Sequence, residues 1–260
     1  MMKRLIASTM TQRVFKLEQA VDNLLDIGFD TIELCSVDEW VPHFDLKNST
    51  DKTIFETASM LKEKGMNVHC INVGGVHTVE EIEKVYALAK ETNAKIVTYA
   101  CGCMEEGREY DDLMKARAEF NSKLADLGDK YGIICSIEAP HKLSLAENVA
   151  QIDTYWAMQD PRVKCTFDTA HLTYSGEDMI AVAKRYVDRI VHSHLRDAEK
   201  GNSLLRYGEG IVDFRKYLDT LKEGGYTGKF SMEYPPDTAE EAAERLIKSR
   251  EYLSQFDVLK

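Results

Sequence analysis

Short β-rich runs alternate with amphipathic helical patterns along the whole of this 260-residue chain, and that alternation limits the folds open to it. The runs fall at 5–9, 31–35, 67–71, 95–99, 133–138, 164–168, 189–194 and 229–233. Between and after them, apolar residues recur at three and four over 17–27, 53–64, 79–91, 112–131, 145–158, 179–186, 214–223 and 239–256. In the first of these, Leu17, Ala20, Val21, Leu24 and Leu25 share one helical face. Gly28, Gly65, Gly132 and Gly224 mark helix exits. Eight strands alternating with eight helices, with no linker rich in Pro, Gly or Ser, predict one α/β domain over 1–260, a parallel (β/α)8 TIM barrel. A doubly wound open sheet is the alternative.

Composition removes several classes of function. The 33 basic and 44 acidic residues leave a net charge of −11, which argues against wrapping nucleic acid or lying on anionic lipid. With 44% apolar and 30% charged residues, the chain is not a disordered one. No stretch reaches the roughly 18–20 consecutive apolar residues of a membrane span. Residues 1–8 carry no apolar run long enough for a secretory leader, so the expected location is the cytoplasm. Cys35, Cys70, Cys135 and Cys165 lie in apolar segments, and the pair Cys101/Cys103 has no second pair to complete a thiolate metal site. Buried, reduced, structural thiols are expected. The stretch from Gly224 to Lys229 is one residue short of a phosphate loop, with Phe230 where Ser or Thr belongs. Gly208 and Gly210 lack the third glycine of a dinucleotide loop.

The chemistry is written at the strand ends. Parallel barrels place reacting groups where strands give way to the following loops. Glu138, Asp168, His194 and Glu233 end the last four runs, 30, 26 and 39 residues apart, about one β/α unit each. Three carboxylates and an imidazole meeting at one rim repel unless a cation lies among them. Three oxygens and one nitrogen suit one divalent ion of the Mn²⁺, Mg²⁺, Co²⁺ or Zn²⁺ kind. Two residues earlier on each strand stand Ser136, Thr166, His192 and Ser231, which face the interior too and can steady the ligands. The intervening Cys135, Ile137, Cys165, Phe167, Val191, Phe230 and Met232 are set to pack on helices, with Ser193 the polar exception.

The strings TIEL (31–34), SIEAPH (136–141), FDTAH (167–171), HSHLRD (192–197), GEGIVDF (208–214) and SMEYP (231–235) resemble the xylose-isomerase-like barrel superfamily, and within it the sugar phosphate isomerase/epimerase group. The resemblance covers nearly the whole chain. It implies that Glu138, Asp168, His194 and Glu233 are the ligands of one divalent ion and that His171 touches substrate. It also implies isomerisation or epimerisation of a keto-sugar or sugar phosphate through an enediolate, with Glu138 and Glu233 as base and acid. Loss of a β-hydroxyl from the same intermediate gives dehydration, as in the inosose and dehydroshikimate dehydratases that the sequence also resembles. Ser144 stands where free-ketose epimerases usually carry a second glutamate. Apurinic endonucleases of the superfamily need an Asp-x-His that 204–210 lacks, and a histidine missing from the fourth strand end. A silent sugar-binding barrel would show lost ligands, and all four are present.

Further substrate contacts are expected from His141 after the fifth strand, and from Arg196 and Arg206 after the seventh, which suit a phosphate or carboxylate. Inward-facing Glu33 is expected to bind substrate or pair with an inner basic group. His69, which could pass for a ligand in the endonuclease pattern, completes the set. The expected partner is a small sugar or sugar-like molecule, with neither nucleic acid nor membrane, and homo-oligomerisation is left open.

Overall fold

In the computed structural model, which describes residues 3–260, every one of the eight runs forms a strand. Met1 and Met2, the start of the stretch weighed above as a leader, lie outside the described residues. The strands are β1 (Leu5–Ser8), β2 (Thr31–Val37), β3 (Asn67–Gly74), β4 (Ile96–Ala100), β5 (Ile134–Glu138), β6 (Lys164–Asp168), β7 (Ile190–Leu195) and β8 (Phe230–Met232). All pair in parallel with their neighbours, and β1 pairs with both β2 and β8, which closes the barrel. A closed parallel barrel leaves no open edge, so the open-sheet alternative is excluded.

Around it lie α1 (Leu17–Asp26), α2 (Asp51–Glu63), α3 (Val79–Glu91), α4 (Tyr110–Tyr131), α5 (Val149–Met158), α6 (Thr169–Ser175), α7 (Met179–Arg185), α8 (Phe214–Glu223) and α9 (Ala239–Leu253). Local chemistry sets their ends. Helix α5 starts at Val149, later than periodicity suggests, because Asn148 and Gln151 form a capping box there. Helix α4 stops at Gly132, whose φ of 71° is easy for glycine. Helix α6 departs from expectation: Asp168 ends β6 and caps α6 at once, its carboxylate accepting a hydrogen bond from the Ala170 amide.

The alternation along each strand divides the molecule into two layers. Outward residues such as Leu34, Ile137, Phe167 and Phe230 are buried against the helices, each worth roughly 1.5–3 kcal/mol of apolar burial. Ser193 joins that layer and is satisfied, its hydroxyl 2.8 Å from that of Tyr217 on α8. The inward residues Ser136, Thr166, His192 and Ser231 are fully buried and polar, with the Ser136 and Thr166 hydroxyls 2.8 Å apart. Five cysteines are buried free thiols, and Cys103 is exposed, contrary to the expectation for all six. Among the described residues no helix is long and apolar enough to cross a membrane.

Candidate metal centre

Strand ends bring the four ligand-type residues together. Glu138 closes β5, Asp168 closes β6, His194 is last but one in β7, and Glu233 follows β8 directly. One ligand atom from each lies within 4.8 Å of all the others. His194 Nδ1 is 3.1 Å from Glu138 Oε1, 3.4 Å from Glu233 Oε2 and 3.9 Å from Asp168 Oδ2. All four side chains are buried.

Their electrostatics reflect crowding of like charge. Burial, together with Glu138 and Glu33, pushes the Glu233 carboxyl up to about 8 against the pull of His194. Burial alone would keep His194 neutral, yet Glu233, Glu33 and Glu138 together hold its imidazole well above the usual histidine range. Glu138, despite burial, is held well below the carboxylate range by His194 and His171. The His194 proton, with the Arg196 guanidinium 3.5–3.6 Å from Asp168 and Glu233, balances part of this negative charge. Three hard oxygens and one imidazole nitrogen around that proton are a donor set that fits a divalent ion in its place.

A second tier of groups orients the first. His194 Nε2 lies 3.0 Å from Glu33 Oε2, and that same oxygen accepts from His192 Nε2. Fixing Nε2 as the donor leaves Nδ1 to face the cluster. Burial would raise the Glu33 carboxyl, but His194 and His192 hold it well below its usual value. Asn72 Nδ2 donates to Glu233 Oε1 at 3.1 Å and lies 3.5 Å from Glu33 Oε1, tying the two glutamates across the barrel.

Of the expected substrate contacts, the structure brings three to the mouth of the site. His171 Nε2, on α6, is 3.4 Å from Glu138 Oε1 and 3.8 Å from Asp168 Oδ2. Both its ring nitrogens are buried without a hydrogen-bond partner among the described residues. The His141 ring lies beside it, 3.9 Å between centroids and tilted by 39°. Burial and His171 push the His141 imidazole down to about 4. Arg196 Nη1 stands 3.5 Å from Asp168 Oδ2 and 3.6 Å from Glu233 Oε2.

Arg206, Glu33 and His69 are placed elsewhere. Asp197 accepts hydrogen bonds from the amides of Gly208, Gly210 and Val212, winding the loop around its carboxylate. A Cβ at Gly210 would meet that carboxylate at 2.2 Å, so the winding requires glycine there. It turns Arg206 outward to Glu244 on α9, at 3.5 Å, away from the cluster. Glu33 meets inner histidines, the second of the two roles expected for it. His69 sits near the start of β3, where the register with β2 slips by one residue between Ile32 and Glu33. Its ring faces His192 at 5.7 Å, so His192 and Glu33 stand between it and the cluster.

A model of the xylose isomerase-like TIM barrel family matches residues 21–255. The chain belongs to that family. Inosose dehydratase of Lacticaseibacillus casei is 32% identical over 127 residues, which cover 41% of this chain and 43% of that protein. The match therefore spans less than half of that relative's length. Among solved structures, a D-tagatose 3-epimerase-like protein superposes with a TM-score of 0.77 at 18% identity, covering 97% of both chains. The IolI protein with a bound zinc atom gives 0.77 at 19% identity, over 97% of this chain and 99% of that one. These likenesses establish the shared barrel.

Asn72 in the site, and Lys142 next to His141, were given no role by the sequence reading of this xylose isomerase-like chain. Asn72 lies one residue past the end assigned to the third run, although counting by two from Cys70 reaches it. Lys142, next to His141, donates to the Ser203 hydroxyl on the strand Asn202–Leu205, which forms a hairpin with Asp197–Glu199 after β7. Nothing in the spacing of the sequence brings those two loops together.

Proposed function

We propose that this barrel is a divalent-metal-dependent enzyme that enolises a polyhydroxylated ketone, a sugar or sugar phosphate, in an isomerisation or epimerisation. The observation that carries the reading is the buried convergence of Glu138, Asp168, Glu233 and His194 Nδ1 at the carboxyl ends of four successive strands. In this reading those residues hold one divalent ion, which polarises the substrate carbonyl and so acidifies the neighbouring C–H.

The rest is done by the chain. Glu138 and Glu233 reach the centre from strands β5 and β8, with β6 and β7 between them, and so address a bound ketone from two sides. One carboxylate removes the α-proton, and the other returns a proton to the opposite face or to the neighbouring carbon. Glu33, through His192 and His194, and Asn72, through Glu233, keep that geometry fixed. His171 and His141 roof the centre and meet the hydroxyl groups of the substrate.

A second reading is dehydration of a keto-cyclitol. His171 favours it, because its imidazole, with Nε2 3.4 Å from Glu138 Oε1, lies where it can hand a proton to a departing β-hydroxyl. The similarity to the inosose dehydratase points the same way.

Both readings share one step, and that step is the test. In deuterated water, with keto-sugars, their phosphates and inososes offered to metal-loaded protein, the α-position should take up deuterium, and Glu138→Gln and Glu233→Gln should suppress this. Metal content is measured on every variant. An inverted centre identifies an epimerase, a moved carbonyl an isomerase, and a lost water a dehydratase. Turnover with full retention of the α-hydrogen and intact activity in both glutamine variants would refute carboxylate-driven enolisation.

A further inference from the structure

We propose that Lys142 and Arg196 form an anion-binding subsite at the mouth of the barrel, so that the substrate carries a phosphate or carboxylate group. This rests on the reading above for where the substrate lies. Lys142 follows His141, whose ring packs at a tilt against that of His171, and His171 in turn approaches Glu138. The ammonium stands 4.8 Å over the ring of Tyr174, on the same helix as His171. The loop and the helix that carry Lys142 and Tyr174 therefore also carry the two histidines beside the metal-ligand cluster.

Ser203 gathers two cations at this place. Its hydroxyl accepts from Lys142 Nζ, and its carbonyl accepts from Arg196 Nη2 at 3.2 Å. Like charges held side by side by one residue need a counter-charge. Arg196 has one, because Asp168 and Glu233 lie 3.5 and 3.6 Å away. Lys142 has none: its contacts are a hydroxyl and an aromatic face, and no carboxylate of the described residues pairs with it. Burial and the neighbouring Arg196 accordingly push its amine below the usual lysine value.

A half-buried ammonium without a partner, next to a guanidinium that already has one, is complete only when an anion arrives. Phosphate and carboxylate share the oxygens that such a pair binds. A neutral sugar offers nothing for Lys142 to neutralise.

The test is calorimetric binding to metal-loaded protein with two matched pairs of probes: fructose 6-phosphate against fructose, and shikimate against its methyl ester. Wild type should bind at least one anionic member about tenfold or more tightly than its neutral partner. Whichever pair shows the preference separates a phosphate site from a carboxylate site. Lys142→Met should abolish the preference and Lys142→Arg should keep it, with metal content unchanged in both. Equal affinity within both pairs, no binding of either anion, or an undiminished preference in Lys142→Met overturns the proposal. The enolisation reading fails separately, on deuterium uptake and metal content.

Discussion

Loading this centre with a divalent ion must expel protons, and the number follows from the geometry. His194 Nδ1 faces Glu138, Glu233 and Asp168, while Nε2 is committed to Glu33. An imidazole held well above its usual range by three glutamates carries a proton on both nitrogens near neutral pH, and coordination through Nδ1 removes one of them. Glu233, pushed up to about 8, is about nine-tenths protonated near pH 7 and must also ionise to act as a ligand. The two sites interact, so the count belongs to the cluster and lies between about one and two protons per ion. Metal affinity should therefore fall about ten- to a hundredfold for each unit of pH lowered below 7. Titrating Mn²⁺ into metal-free protein in two buffers of different ionisation heat gives the proton number directly. Binding that releases no protons, with an affinity unchanged between about pH 6 and 8, would show that the cluster does not hold the proton assigned to it.

Three other perturbations probe the tiers around the centre. Glu33→Gln should weaken metal binding about 10- to 100-fold in a chelator competition while the fold survives, because His194 loses the carboxylate that fixes its Nε2 proton; unchanged affinity would leave Glu33 without a positioning role. His171→Ala should keep one ion per chain and lower turnover about a hundredfold or more, and loss of the ion would make His171 a ligand instead. Burial and His192 push the His69 imidazole down to about 3, so folding favours its neutral form. The unfolded chain takes up this proton below about pH 6.5, and stability is lost progressively from there toward pH 3. At about pH 5 that is roughly 2 kcal/mol, and His69→Asn should remove it from the difference between denaturant curves at pH 7 and pH 5; identical differences in variant and wild type would contradict it.

The barrel was legible because each β/α unit repeats the same two signals, an alternating strand and a helix of period 3.6. The four ligand-type residues were legible for the same reason, since one chemically loaded residue recurs at the same point of each unit. What escaped was set by contacts that periodicity does not encode. Helix α6 starts directly after Asp168, which ends β6 and caps the helix, so no loop separates it from the strand. The bulge at His69 is a register shift between two strands, visible only once they are paired. Arg206 faces α9 because three amides of its loop turn toward Asp197, an arrangement that backbone hydrogen bonds specify and side-chain chemistry does not. The glycines at 208 and 210 are its trace in the sequence, and they read first as a failed nucleotide loop.

The two faces of each strand carry different loads, and this explains how a barrel can hold so much charge along its axis. Phe167, Phe230, Tyr217 and Ile137 lie in the layer between strands and helices, fully buried among apolar neighbours, and truncating any of the aromatic ones costs about 3–5 kcal/mol. The inner face lacks that packing. Thr98 Oγ1, Ser231 Oγ and His192 Nδ1 are buried there without a hydrogen-bond partner among the described residues, each costing about 1–3 kcal/mol unless water reaches it. Branched aliphatic residues at those positions would stabilise a barrel whose only task was to fold. Polar residues stand there instead, beneath Glu33, Glu138, Asp168, His194 and Glu233, so the outer layer offsets what the inner one gives up. Stability and chemistry are thus assigned to alternate residues of the same strand, and a one-residue slip in register would exchange them.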